Sequence, residues 1–454
     1  MNTATLTSTA ETPAAPVTGV LGSLALCTLL PALAISSANV ALPTLAATFH
    51  AGLSQVQWVV LAYLLATTTL IVGAGRLGDL MGRRRLLLAG IALFTIASAL
   101  GALAPTLPLL IAARALQGVG AAAMMALTMA MVGAALPRER TGSAMGLLGT
   151  MSAVGTALGP SLGGVLIGIL GWQAVFAINL PLGLLALAMV WRCLPADSEP
   201  RGAAGFDLPG TLWLALMLAA YALAMTLHAG LLAAAALGLW LFLRTEARTA
   251  SPLVRLDGLR DPALSAALAM NAIVSAVMMA TLVVGPFHLS GELGLGAVTV
   301  GALMSIGPLV SAFSGLPAGR LVDRFGTRRM ALLGLAAMAL GCLLIAVLPA
   351  SFGAIAYVGP LVIVTPGYAL FQAANNTGVM ADVAAEQRGV VSGLLTLSRN
   401  LGLITGASAM GAVFAAGGLS LSFAVATALV VVALVLARRA AQAGPPQPPL
   451  LKAL

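Results

Sequence analysis

Long apolar runs separated by short polar breaks fill almost the whole chain. A helix that crosses a membrane needs about 20 apolar residues, and this length divides the chain into fourteen predicted spans. The predicted spans, numbered 1 to 14, are residues 19–42, 54–74, 86–104, 107–135, 142–170, 172–194, 208–227, 229–243, 263–287, 296–318, 330–349, 354–380, 389–415 and 419–437. Spans 7 and 8 form a tight hairpin. The pattern predicts an all-α integral membrane protein.

The composition fits a chain that lies mostly in lipid. Only 8% of the residues are charged and 60% are hydrophobic, whereas a typical soluble domain is about 25% charged. These values exclude a soluble enzyme, a disordered chain and a fibrous protein. The sequence has no GxxxxGK[ST] phosphate-binding motif, and its three cysteines lack metal-ligand spacing. We therefore expect no enzymatic activity, no cofactor and no metal.

Lysine and arginine are distributed unevenly among the loops. Twenty of the 22 follow even-numbered spans, two lie within spans, and the loops after odd-numbered spans carry none. Because basic loops stay in the cytoplasm, both termini are predicted to be cytoplasmic in a bacterial-type cytoplasmic membrane, and the number of spans is even. This distribution accounts for the net charge of +9, so we expect a lipid bilayer as partner and no nucleic acid.

An internal repeat marks the ends of spans 2 and 10. Residues 75–85 read GRLGDLMGRRR and residues 319–329 read GRLVDRFGTRR, with seven of the eleven positions identical. A parallel repeat implies two homologous halves, as in many transporters. Since an aspartate can cap a helix or pair with arginine, we interpret the repeats as a conformational latch. The alternative is that they are only basic loops that set the topology.

Several motifs together resemble the major facilitator superfamily, specifically its fourteen-span drug/proton antiporter branch. They are the two repeats, RALQGVG at 114–120, GTALGPSLGG at 155–164, GW at 171–172 with FAINLPLG at 176–183, FDLPG at 206–210, and SG at 392–393 with RNLG at 399–402. The resemblance covers nearly all of residues 19–438. It implies alternating access between two six-helix halves with two extra helices between them.

The residues of the repeats and of span 5 are candidates for a latch and a hinge, and plain helix packing is the other reading of span 5. Glycines at four-residue spacing in span 5 favour close helix contact, and a proline adds a kink. The candidates for latch and hinge are Gly75, Asp79, Arg83, Arg84, Gly155, Gly159, Pro160, Gly319, Asp323 and Arg328.

One departure from the antiporter branch concerns proton coupling. Members of the branch often carry an acidic residue five positions before the Asn of Asn-Val-Ala-Leu-Pro, where this chain has Ala34. None of the 13 acidic residues lies in the middle of a predicted span, and the three histidines lie at predicted span ends or loops. Protons remain the candidate coupling ion, but we expect a weaker dependence on a pH gradient. Without a carboxylate, the cavity favours neutral or anionic substrates.

Polar residues within the spans are the candidates for binding substrate. A charge within a span usually faces a cavity or a partner, which singles out Arg114 and Arg399. The alternative for Arg114 is bonding to backbone carbonyls, and the alternative for each buried amide is a bond between helices. The candidates for the substrate site are Asn39, Tyr63, Arg114, Gln117, Asn271, Gln372, Asn375, Asn376 and Arg399.

These expectations combine into a domain plan and a function. The plan is a cytoplasmic tail at 1–18, a six-helix half at 19–194, a linker with spans 7 and 8 at 195–262, a second half at 263–438 and a proline-rich, disordered cytoplasmic tail at 439–454. The predicted function is secondary transport of small organic molecules, with export of a drug or metabolite as the leading direction. The alternatives are uptake of a metabolite or vitamin such as riboflavin, and a non-transporting membrane sensor.

Overall fold

The computed structural model describes residues 17–135, 138–195, 197, 207–249, 261–381 and 388–442, and all regular structure in these ranges is helical. The helices are α1 (Val17–Thr48), α2 (Leu53–Val56), α3 (Trp58–Met81), α4 (Arg83–Ala102), α5 (Leu107–Ala135), α6 (Arg138–Leu170), α7 (Gln173–Ala177), α8 (Asn179–Cys193), α9 (Leu208–Thr226), α10 (Leu232–Glu246), α11 (Pro262–Phe287), α12 (Ala297–Phe325), α13 (Thr327–Val347), α14 (Ala354–Ala381) and α15 (Arg388–Gln442). The predicted tails lie almost entirely outside the described residues.

Within the described residues, thirteen segments are long and apolar enough to cross a membrane, and the last of them accounts for two predicted spans. It covers Leu394–Arg439 and is broken at Gly417 and Gly418, whose backbones are not helical. Gly418 has φ 66°, which is accessible to glycine without steric cost. The all-helical membrane architecture predicted from the sequence is confirmed.

The boundaries differ from the prediction at the two repeats. The helices α3 and α12 continue through Gly75 and Gly319, and the chain turns only at Gly82 (φ 99°) and Gly326 (φ 85°). Neither Gly75 nor Gly319 adopts a positive φ, so each helix continues to the glycine that does. The glycines that make the turns are therefore the eighth residues of the repeats, not the first.

Helix packing follows the internal repeat. In the first part of the chain α1 packs on α6, and in the second part α11 packs on α15. A Cβ atom placed on Gly155 would lie 2.6 Å from the carbonyl oxygen of Leu29, and one placed on Gly402 or Gly406 would also meet backbone oxygens, those of Ala272 and Ala276. Glycine thus allows the close approach in both pairs.

The hairpin of α9 and α10 packs outside these pairs. The two helices contact each other, and α9 also touches α3 and α15. Trp58 on α3 donates from its indole Nε1 to Thr226 Oγ1 on α9 at 3.2 Å, and Tyr221 on α9 donates to Thr405 Oγ1 on α15 at 3.0 Å. The hairpin therefore bridges one helix from each part of the chain.

Contacts between α1–α8 and α11–α15 are close at one end of the bundle. A Cβ on Gly164 of α6 would lie 2.6 Å from the carbonyl oxygen of Ala297, and one on Gly301 of α12 would meet Pro160 and lie 2.8 Å from Gly164 Cα. The end of the bundle that carries the loops after even-numbered spans is called the arginine-rich end. The end with this close contact is called the opposite end. Toward the arginine-rich end of α12, a Cβ on Gly315 would meet no described atom within 4 Å.

Candidate substrate site

Arg114 lies on α5 and is only 1% exposed. Its Nε donates to the carbonyl oxygen of Val59 at 2.8 Å, and its Nη1 donates to the carbonyl oxygen of Ala34 at 3.5 Å and to Gln117 Oε1. The guanidinium carbon lies 4.4 Å from the centre of the Tyr63 ring, a cation–π distance. In this conformation Arg114 therefore makes the backbone contacts of the alternative reading, and it joins α1, α3 and α5.

The neighbours of Arg114 form a continuous hydrogen-bonded group. Gln117 donates from Nε2 to Ser98 Oγ at 2.7 Å, and Thr67 donates to the carbonyl oxygens of Tyr63 and Gly118. A Cβ on Gly118 would lie 2.5 Å from the carbonyl oxygen of Tyr63, so the glycine lets α5 approach α3. The structure thus brings together Tyr63, Arg114 and Gln117, all predicted from the sequence.

Several buried polar atoms in these helices have no hydrogen-bond partner in the described part of the chain. Asn39 on α1 is 1% exposed, and both its amide atoms lack a partner. On α3, α5, α11 and α14 the same holds for Thr68 Oγ1, Arg114 Nη2, Thr128 Oγ1, Asn271 Oδ1, Ser275 Oγ and Gln372 Oε1. Buried polar groups are rarely left without a partner, so these atoms are positions where water or a ligand is expected.

The side-chain amides in the second part of the chain form hydrogen bonds between helices. Asn271 on α11 donates to the carbonyl oxygen of Leu395 at 2.9 Å, and Asn375 on α14 donates to that of Ala267 at 3.4 Å. Ser398 Oγ also donates to a backbone oxygen of α11. These contacts agree with the structural alternative for buried amides, while Asn271 keeps one free acceptor.

Of three further candidates, two are exposed and the third is half-buried. Asn376 on α14 and Arg399 on α15 are exposed, and Gln372 donates from Nε2 to Tyr368 Oη at 3.0 Å. Arg399 therefore differs from Arg114, which is enclosed by three helices. The structure does not place the two arginines in equivalent surroundings.

The first repeat is clamped by an aspartate that the sequence did not single out. Asp197, which follows α8, accepts from the backbone N–H of Arg84 at 2.7 Å and of Arg85 at 3.0 Å. It thereby caps the first turn of α4, as carboxylates commonly do. A Cβ on Gly82 would lie 2.6 Å from Asp197 Cγ. The side chain of Asp79 lies outside the described residues.

The second repeat has a more open environment. Asp323 and Arg328 are exposed, and a Cβ on Gly326 would meet no described atom within 4 Å. In the first repeat, by contrast, Arg83 donates from Nη1 to the carbonyl oxygen of Ala130 at 3.2 Å. The two repeats are similar in sequence but differ in the contacts they make.

The predicted hinge residues lie where α6 meets its neighbours. Gly155 and Gly159 face α1, and Pro160 offers its carbonyl oxygen to the surface that Gly301 approaches. A Cβ on Gly159 would lie 2.8 Å from the backbone nitrogen of Ser37. Pro160 and the glycines thus occupy the contact between α6, α1 and α12.

A cavity bounded by three helices lies away from these residues. It has a volume of about 640 Å³ and is bounded by α12, α13 and α14, with side chains such as Phe313, Leu333 and Val362. Its lining is almost wholly apolar, as expected for a groove that faces lipid. None of the predicted substrate-site residues lines it.

Comparisons with known proteins identify a family. The family model described as Major Facilitator Superfamily matches residues 24–407 and 267–453. The relatives include an uncharacterized transporter of Escherichia coli, YebQ, which is 32% identical over 82% of this chain and 83% of its own length. Another is the riboflavin transporter RibZ of Clostridioides difficile, 30% identical over 83% of this chain and 84% of its own length.

A third relative and two solved structures are also similar. The multidrug efflux pump LfrA of Mycolicibacterium smegmatis is 30% identical over 85% of this chain and 79% of its own length. A bacterial homologue of the lysosomal transporter Spinster, in an inward-facing, unoccupied conformation, has a TM-score of 0.71 at 16% identity over 93% of this chain and 96% of its own. The D-xylose-proton symporter has the same TM-score at 15% identity over 93% and 97%. The last two similarities concern the fold.

Proposed function

This chain belongs to the major facilitator superfamily, and on that premise we propose that it exports small organic molecules across a cytoplasmic membrane. It is a multi-pass transporter, and the match to the family and to transporters along most of the chain excludes the sensor considered above. The finer statements, that it exports and that it favours neutral or anionic molecules, are our proposals.

The observation that carries the proposal is the set of unpartnered polar atoms on α1, α5, α11 and α14. Arg114 Nη2 is a cationic donor without an acceptor, and Asn39 offers a donor and an acceptor. A substrate with an anionic or strongly polar group would satisfy such atoms. No described carboxylate lies beside Arg114. A cationic substrate would therefore find no negative charge there to neutralise its own.

The packing of the two ends supports alternating access. The parts of the chain meet closely at the opposite end around Gly164 and Gly301. If the arginine-rich end is cytoplasmic, as the distribution of charge predicts, this conformation opens inward. Both termini are then cytoplasmic, and the halves 19–194 and 263–438 move against each other.

Similarity to named transporters supports two directions. LfrA is called a multidrug efflux pump, which favours export. RibZ is called a riboflavin transporter, and together with Ala34 in place of an acidic residue it keeps uptake of a metabolite or vitamin as the second candidate.

The test is initial flux in proteoliposomes with matched anionic, neutral and cationic fluorescent compounds. Hydrogen bonds to a charged group contribute about 1.5–3 kcal/mol, so Arg114→Gln is expected to lower flux of anions by roughly 10- to 150-fold. Arg114→Lys keeps the charge but loses the planar fork and should retain part of the flux. Arg244→Gln, on an exposed residue at the end of α10, is the matched control and should transport normally.

Folding and direction need separate controls. Arg114 joins three helices, so a size-exclusion profile must show a single folded species. Asn39→Leu, which removes both unpartnered amide atoms without touching Arg114, gives a second test if Arg114→Gln fails to fold. The substrate proposal would be overturned if the unmodified chain transported anions and cations equally and the folded Arg114→Gln variant did the same. Accumulation in right-side-out rather than inside-out vesicles would favour uptake.

A further inference from the structure

The end of α11 carries a buried histidine beside an acid. After Pro286 and Phe287 the chain makes a π-helical turn, His288–Glu292. His288 Nδ1 and Glu292 Oε2 are 2.6 Å apart, and the two side chains are 8% and 49% exposed. The histidine therefore lies inside the bundle, while its partner reaches the surface of the opposite end. Single π-helical turns are often found at functional sites.

The groups around His288 include few that titrate. The ring of Tyr357 on α14 lies 6.1 Å from the imidazole, centre to centre, and its hydroxyl donates to the carbonyl oxygen of Thr281. Cys342 on α13 lies behind Tyr357. Phe423, beyond the break in α15, packs edge-on against Tyr357 at 6.0 Å.

The other described residues beside His288 and Glu292 are uncharged. A Cβ on Gly418 would lie 3.7 Å from Glu292 Oε1, and Met304 of α12 packs beside Tyr357 at Gly285. Among the charged groups of the described residues, His288 thus has Glu292 as its ion-pair partner.

The pair is connected to the closed contact at the opposite end. The backbone N–H of Leu293 donates to the carbonyl oxygen of His288, and that of Leu295 donates to Leu289. Helix α12 begins at Ala297, whose carbonyl oxygen lies against Gly164 of α6. The π-helical turn is thus linked, through Leu293, Leu295 and the start of α12, to the surface where the two parts of the chain meet.

We propose that His288 and Glu292 form a proton-binding site that stabilises the closed opposite end when His288 is protonated. Histidine is the side chain whose charge ordinarily changes between pH 5 and 8. Neutral His288 can donate its Nδ1–H to the carboxylate of Glu292, and protonation of the ring turns this hydrogen bond into an ion pair with added Coulomb attraction. The proton thus tightens the turn that leads into α12. The inference rests on the alternating access proposed above and adds its regulation by the pH at the opposite face.

The direction of the effect follows from the two charge states. Lowering the pH protonates His288, strengthens the pair and raises the population in which the opposite end is closed. Raising the pH leaves neutral histidine and raises the population in which it is open. A coupling at the lower end of the usual allosteric range, about fivefold, is expected between the protonated and the neutral form.

The experiment measures opening with spin labels and needs no substrate. Leu103 at the end of α4 and Phe352 before α14 are 79% and 56% exposed at the opposite end. Both are replaced by cysteine in a chain without its three native cysteines and labelled, and the distance between labels is recorded against pH by pulsed electron paramagnetic resonance. The ratio of open to closed populations should change about fivefold.

His288→Gln and Glu292→Gln should each abolish this pH dependence and favour the open form. His228→Gln is the matched control, because His228 is an exposed histidine between α9 and α10, and it should titrate like the unmodified chain. Glu292 is half exposed, so Glu292→Gln tests the pair even if His288→Gln fails to fold. A pH-independent distance in the unmodified chain, or a titration unchanged by both variants, would overturn the inference. If the proteoliposomes show no flux while the distance between the spin labels still responds to pH, the result counts against the export proposal alone.

Discussion

Arg114 takes its backbone acceptors from two other helices, Ala34 on α1 and Val59 on α3. The sequence predicted that a charge within a span must find a cavity or a partner, and it gave Gln117, three residues further along, as another candidate. It could not show which carbonyl oxygens accept hydrogen bonds from Arg114, since that depends on the register between helices far apart in the chain. Asp197 was missed for the same reason: its partners, the N–H groups of Arg84 and Arg85, lie more than a hundred residues away.

The two turn glycines allow a matched prediction at this scale. Gly82 and Gly326 share a positive φ, and alanine at either costs about 1 kcal/mol or more in strain. At Gly82 the added Cβ would also displace Asp197, whereas at Gly326 it meets open space. We expect Gly82→Ala to lower the midpoint of thermal unfolding further than Gly326→Ala. Equal shifts for the two purified variants would show that the Asp197 cap adds no stability.

The helices themselves were largely predictable, because each span is a long apolar run. The break at Gly417 and Gly418 falls in the gap predicted between spans 13 and 14. The interruption of span 6 at Ile178 and the π-helical turn after α11 were not predicted. The first occurs within an apolar segment whose local pattern is helical, and the second lies just beyond the predicted end of span 9. Neither has a local sequence signal, so packing against neighbours determines them. His288 was consequently placed at a span end, although it is buried.

The contact between α6 and α12 leads to a prediction for these elements. A Cβ on Gly301 would meet Pro160, while one on Gly315 of the same helix meets open space. Overpacking costs about 1–3 kcal/mol, so Gly301→Ala should hinder closure of the opposite end and lower flux roughly 5- to 150-fold. Gly315→Ala should transport normally and melt no lower, because alanine favours a helix. Normal flux in Gly301→Ala would mean that this contact is not part of the cycle.

At the scale of the molecule, the sequence predicted the architecture through the repeat and the distribution of charge. The similar packing of α1 with α6 and of α11 with α15 agrees with a duplicated plan. The repeats could not reveal that one of them is clamped by Asp197 and the other is exposed, since their sequences match at seven of eleven positions.

Orientation provides the last prediction, which uses single cysteines and a membrane-impermeant maleimide. Thr106, between α4 and α5, and Ala247, after α10, are both exposed. Because basic loops remain inside, Thr106→Cys should label in intact cells, and Ala247→Cys only after the membrane is opened. Ala229→Cys, between α9 and α10, should label from outside if both helices of the hairpin cross. Labelling of Ala247→Cys in intact cells would overturn the even number of spans before it, whereas protection of Ala229→Cys alone would show that the hairpin does not cross.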